Sequence, residues 1–249
     1  MTPSGAPVSP LEIVEQARQA EADGFPAVWT THFSRDVDAL SVLAVAGTQT
    51  SRVELGVGIV PTYPRHPLAL AQQAATTQAL CGGRLTLGIG VSHRPVIEGL
   101  HGIPYTSPAQ HMQEYLSVLG PLLRKGSVTY RGSFYQVEGG FTVRDTSPVS
   151  IVVGALSPRM VRVAGELADG VVTWLAGPRW LVDGIVPGLH SAAQAAGRSR
   201  PRIVAALPVA VCDDAGLART VADDVFARPV GNTAASVGRT RALLASLNS

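Results

Sequence analysis

Residues 55–80 read LGVGIVPTYPRHPLALAQQAATTQAL, an apolar run broken by glycine and followed by three prolines. The run over 53–60 has the length of a buried strand. Pro61, Pro64 and Pro67 close it, because proline cannot donate to a sheet ladder. Pro67 then suits the first turn of a helix, predicted over 67–80. Arg84 to Ile89 is strand-like again. A strand, a helix and a strand of these lengths form one βαβ unit of a parallel sheet. Gly56 and Gly58 flank Val57, so two positions on one face of the strand carry no side chain. Glycine in a strand costs roughly 0.5–1 kcal/mol against alanine. Two explanations stay open: the glycines make room for bulky neighbours, or a planar ring rests against Gly58 and Ile59.

The unit repeats along the chain. Ser9, Pro10 and Glu12 are placed to cap a helix that Asp23-Gly24 stops. The strand Ala27–Thr30 follows, then a helix over about 36–48. Beyond the opening stretch comes a polar loop near 92–108 and a helix near 109–124. SVTYRGSFYQV (127–137) alternates around a glycine turn as a hairpin. Strands at 150–153, 170–174 and 202–211 alternate with helices at 158–167 and 178–196. The tail reads as a helix near 214–225, an extended piece at 226–230 and a helix near 233–247. With about seven such units and no linker, the expected architecture is one domain over 1–249, an eight-stranded (β/α)8 TIM barrel with an inserted hairpin. Such a barrel opens with a strand, and MTPSGAPVSP contains none. The segment between 202 and 226 is also short. The expectation is that residues are missing from the given sequence, since a barrel lacking a strand exposes unpaired edges.

Composition narrows the function classes. Of 249 residues 46% are hydrophobic and 15% charged, with a net charge of +2, which gives no reason to expect nucleic acid or an anionic membrane as partner. Every apolar stretch is cut well short of the roughly 20 residues of a membrane span. The N-terminus has no secretion signal, and Cys81 and Cys212 have no metal-like spacing, so a cytoplasmic protein without a disulfide framework is expected. No HxxxH, carboxylate cluster or GxSxG is present, and no metal is expected.

In a βα barrel the active site lies at the C-terminal strand ends. His32 directly follows the strand AVWT and is the candidate acid or base. His93 stands at the matching place after a later strand. His66, His101, His111 and His190 fall in helices or loops and are read as ordinary. In VVGALSPRMVRVAGELADGVV (152–172) a strand ends at Gly154, and Ser157-Pro158 opens a helix whose first N–H groups point toward the barrel mouth; two readings stay open, a phosphate site and an ordinary capped helix.

These residues carry a resemblance. ADGFPAVWTTHF, SRVELGVGIVPTYPRHPLALAQQAATTQAL, GRLTLGIGVSH, VTYRGSFYQV and GALSPRMVRVAGELADGVV together resemble the luciferase-like monooxygenase superfamily, in particular its actinobacterial branch using the deazaflavin coenzyme F420. The resemblance runs from about Leu11 to Asp214. It implies an oxidoreductase moving a hydride between coenzyme F420 and a small organic substrate, working as a homodimer. A cis peptide at Gly58-Ile59 would back the coenzyme ring, and His32 would lie near its reactive carbon. Backbone N–H groups of Gly154, Ala155, Leu156 and Ser157 would hold the coenzyme phosphate, with Thr173 nearby and His93 as a further coenzyme contact. The hairpin and the 92–108 loop would cover the substrate. Two alternatives remain: an FMN-dependent monooxygenase on the same barrel, and a family member serving as a binding or structural subunit. Thr31 replaces the aspartate many relatives place before the histidine. Asp36 replaces the tryptophan of some sugar-phosphate dehydrogenases, which argues against that substrate.

Overall fold

The computed structural model describes residues 9–207 and, beyond them, 214, 216, 219 and 220. Most of the expected helix near 214–225, the helix near 233–247, the piece at 226–230, the far part of the strand drawn to 211 and the opening residues 1–8 lie outside these. Helix α1 (Pro10–Ala22) starts as its sequence dictates: Glu12 Oε2 accepts from the Ser9 N–H at 3.2 Å, and Gly24 takes φ 82° after the helix stops. Strand β1 (Ala27–Thr30) leads to α2 (Ala39–Gln49), which begins three residues later than expected because Asp38 is its cap, accepting from Ser41 N–H at 2.9 Å. Then come β2 (Glu54–Pro61), α3 (Pro67–Leu80) and β3 (Leu85–Gly90), the unit read from residues 53–89.

The stretch read as a polar loop near 92–108 differs. It contains α4 (Arg94–His101), which Gly102 ends at φ 65°. Helix α5 (Pro108–Lys125) precedes a hairpin of β4 (Ser127–Arg131) and β5 (Gln136–Gly140), paired antiparallel. This hairpin lies along α5, and Glu114 of that helix accepts from the N–H groups of Phe134 and Tyr135 at its turn. Strand β6 (Ser150–Gly154), α6 (Pro158–Leu167) and β7 (Gly170–Trp174) follow. The helix expected over 178–196 is a short turn, α7 (Pro178–Trp180), a π turn at Leu181–Ile185 and α8 (Val186–Ala195), before β8 (Arg202–Ala206).

Six strands form one parallel sheet in the order β1-β2-β3-β6-β7-β8. Leu40, Leu43, Leu55, Leu70, Leu87, Met112 and Leu116 are fully buried between sheet and helices. The sheet curls. Arg202 opens β8 and reaches Glu54 of β2, which is not its neighbour in the sheet, with bonds of 2.7 and 2.9 Å; its guanidinium lies 5.8 Å from the Trp29 ring of β1. Thr86 of β3 donates to the same Glu54. The concave face is therefore a lumen whose N-terminal end is filled by this polar group. The architecture is the expected barrel type, with six strands of its sheet among the described residues.

Candidate active site

The two glycines of the opening stretch have different causes. A Cβ on Gly56 would stand 2.3 Å from the Trp29 indole, so this glycine makes room for a bulky neighbour. A Cβ on Gly58 would meet nothing closer than Val172 and Trp29 at 3.7 and 3.8 Å, leaving the lumen open above it. The ladder between β2 and β3 breaks between Val57 and Val60, and the Gly58-Ile59 peptide is cis. Sequence reading missed the glycines that admit this bulge. A Cβ on Gly88 would strike the Val57 carbonyl oxygen at 2.0 Å, and one on Gly90 would strike the Ile59 side chain at 2.7 Å. A Cβ on Gly154 of β6 would come within 3.4 Å of the same side chain. Their signal was the repeated glycine spacing in GRLTLGIG.

The β6–α6 connection leaves several donors unpaired among the described residues. Register sets Gly154 against Val172, and Ala155 donates to the Val172 carbonyl, so Thr173 lies alongside this loop. Among the described residues, nothing accepts from the N–H groups of Leu156, Ser157 or Arg159. Ser157 Oγ accepts from Met160 N–H at 3.4 Å and caps α6. Beside these donors the Thr173 hydroxyl is buried without a partner among the described residues. An unmet buried hydroxyl costs about 1–3 kcal/mol, a cost that an anionic oxygen at the helix start would remove. The chemistry of this donor set fits a coenzyme phosphate.

His32 sits where the sequence put it, after β1. The Ala39 N–H donates to its Nδ1 at 3.2 Å, which leaves the proton of the neutral ring on Nε2. Burial first, then the Arg65 guanidinium, lowers its pKa below the usual 6.5 against the opposing pull of Asp38 and Asp36. Asp38 accepts from Arg65, Ser41 and Gln73, and these bonds outweigh burial to bring its pKa to about 2. His32 lines a cleft of about 330 Å³ with Phe33, Pro61, Pro64, Arg65 and His101. His101, read as ordinary, has its Nε2 buried without a partner among the described residues. His93 is not drawn into this group: it is exposed at the start of α4 and makes no side-chain cap there.

Behind the β2 bulge, Thr62 donates to the Gly90 carbonyl and accepts from His111 Nε2–H at 2.9 Å. Tyr63 stacks on that imidazole at 3.9 Å, and burial brings the His111 pKa down to about 4. His66 caps α3 by accepting from Leu68 N–H. Burial pushes the Cys81 thiol up to about 11. Among the described residues no cluster of His, Cys, Asp or Glu could hold a metal ion, and no helix is long and apolar enough to cross a membrane.

A curled parallel sheet of six strands with helices packed on its outer face defines a barrel of the α/β class. The family model for luciferase-like monooxygenases matches residues 2–246, and the chain belongs to that family. It is 29% identical over 211 residues to 5,10-methylenetetrahydromethanopterin reductase of Methanopyrus kandleri, covering 78% of this chain and 60% of the relative. It is 28% identical over 235 residues to an F420-dependent glucose-6-phosphate dehydrogenase of Nakamurella multipartita, covering 87% and 68%. The solved coenzyme F420-dependent tetrahydromethanopterin reductase of Methanopyrus kandleri superposes with a TM-score of 0.79 at 26% identity, over 93% of this chain and 72% of that one. The chain spans 50–67% of the length of two further reductases of that name.

Proposed function

We propose that this chain is an F420-dependent oxidoreductase that transfers a hydride between the deazaflavin coenzyme and a small organic substrate. The observation that carries the reading is the buried Thr173 hydroxyl beside the N–H groups of Leu156, Ser157 and Arg159, all without a partner among the described residues. The F420-dependent enzymes among the relatives favour that coenzyme over FMN.

Leu156, Ser157, Arg159 and Thr173 would hold the coenzyme phosphate, and Gly58 with Ile59 would back its ring. When bound, the deazaflavin supplies two-electron hydride chemistry. The residues of the chain orient and shield. Gly58 keeps the lumen wall free of a side chain, and Trp29 and Val172 line the space beneath it. His32 acts as a neutral donor: its Nε2–H is available to a substrate oxygen while Nδ1 is held by Ala39. A cationic ring would need a proton on Nδ1 and would lose that bond, so His32 polarises and orients an oxygen rather than delivering a proton as imidazolium.

The test is a Thr173→Val variant, which removes one donor and keeps the shape. Binding of coenzyme F420 is expected to weaken by about 10- to 100-fold, the scale of the roughly 1.5–3 kcal/mol of a hydrogen bond to a charged group. Unchanged affinity in a folded variant would contradict the cradle.

A further inference from the structure

Contacts across the lumen fix which side chains face it. The sheet places β3 and β6 between β2 and β7, yet a Cβ on Gly58 would lie 3.7 Å from the Val172 side chain, so these two residues stand on opposite walls. Residues two apart on a strand share a face, so Trp174 is on the Val172 side, one step nearer the C-terminal ends. Register puts Val204 and Ala206 of β8 beside Val172 and Trp174. The face turned to the helices is filled: Leu55, Val57, Leu87, Ile89, Val153 and Val171 are fully buried. The lumen face beyond the Glu54–Arg202 pair is not, for Trp29, Gly58, Ile59, Val204 and Ala206 are half-exposed, and all are apolar.

Trp174 is 46% exposed, and among the described residues no ring, cation or hydrogen bond engages its indole. Leu175, directly after it, takes φ 56° and donates its N–H to the Ala206 carbonyl at 3.1 Å. A non-glycine residue in this conformation is held there by its surroundings, so the backbone that carries the indole is fixed. The result is a rigid aromatic wall, open on the side that looks across to Gly58 and Ile59.

We propose that Trp174 is a specificity-determining residue, and that the lumen takes a flat, uncharged molecule stacked on its indole. A coenzyme ring backed by Gly58 and Ile59 leaves its other face toward that molecule. The inference rests on the hydride-transfer reading for the chemistry that follows, but its binding claim does not. A planar conjugated group matches the indole face, a puckered ring does not, and a buried charge would meet apolar strand residues without a partner.

The experiment uses the full chain labelled with 5-fluorotryptophan, whose three 19F signals are assigned with Trp29→Phe, Trp174→Phe and Trp180→Phe. The probes are benzylideneacetone, which is flat and conjugated, its saturated counterpart 4-cyclohexyl-2-butanone, and cinnamate, which is flat and charged. Benzylideneacetone is expected to shift the Trp174 signal saturably and to leave Trp180, whose ring lies against Gly184, unmoved. The other two probes should bind at least about fivefold more weakly, the scale of one aromatic pair lost or one charge left unmatched. Trp174→Leu should abolish the preference for the flat ketone over the saturated one, and Trp174→Phe should keep most of it. That preference is a ratio measured within one protein, so a loss of folded fraction does not imitate its disappearance. No shift at Trp174, a shift at Trp180 alone, equal binding of the three probes, or a Trp174→Leu protein that keeps the preference would overturn the proposal. Coenzyme F420 titrated into the same variants is expected to bind nearly as it does to the wild type. A fall with Trp174→Leu would set the indole on the coenzyme and overturn the assignment. A chain that binds benzylideneacetone at Trp174 but no coenzyme refutes the hydride-transfer reading and leaves this one standing.

Discussion

His32 is half-buried and His111 buried, both with lowered pKa values, but they are held differently. His32 has its Nδ1 fixed by Ala39 and its Nε2 turned to use, so His32→Phe should lower kcat/KM by about 100-fold, the scale of losing one oriented donor. Coenzyme affinity should stay nearly constant, and steady-state kinetics beside a binding titration check both. Because its pKa is lowered, the acid limb of kcat is expected below pH 6.5. His111 is a matter of stability. In the unfolded chain it takes a proton near pH 6.5, and in the fold only near 4. Its contribution is thus fully present above 6.5 and is lost as pH falls from 6.5 toward 4. Between pH 7 and pH 5 this amounts to about 2 kcal/mol. Urea unfolding of the wild type and His111→Phe at both pH values measures it: the variant should lose about 2 kcal/mol less, and equal losses would contradict the lowered pKa.

At the scale of the element, β2 separates two glycines that look alike. Gly56→Val drives a side chain into the Trp29 ring and should cost several kcal/mol of stability, since even the first added carbon lies 2.3 Å from the indole. Gly58→Val meets only contacts of 3.7 Å and longer, so stability should change by less than about 1 kcal/mol while coenzyme binding is lost. Thermal unfolding and a coenzyme titration on the two variants distinguish them, and a Gly58→Val protein that still binds would remove Gly58 from the site. The spacing of these glycines was legible in the sequence, but their purposes were not, because each is decided by a residue on another strand. The βαβ alternation and the caps at Ser9, Pro67 and Ser157 were legible because capping and periodicity are local. Helix α4 was missed because it is only eight residues long, barely two turns, inside a stretch otherwise read as polar loop. His101 had no local signal at all: its place in the cleft exists only once α4 packs beside the first two loops.

For the whole molecule, the curl of the sheet brings distant segments onto one concave face. Arg202, Glu54, Thr86 and Trp29 fill its lower end, which leaves the C-terminal strand ends, where Gly58, His32 and Thr173 stand on β2, after β1 and on β7, as the side for a ligand. A ligand that spans these strands binds the fold and not its unfolded chain, and at 100 times its dissociation constant it adds about 2.7 kcal/mol of stability. For a chain of this size that is a rise in Tm of roughly 5–10 °C. The most direct measurement is a calorimetric titration of the folded chain with coenzyme F420, with FMN in parallel. The account predicts micromolar or tighter binding of coenzyme F420 and FMN at least roughly tenfold weaker, a gap of about 1.4 kcal/mol. Tighter binding of FMN, or no binding of coenzyme F420 by a chain shown to be folded, would contradict it.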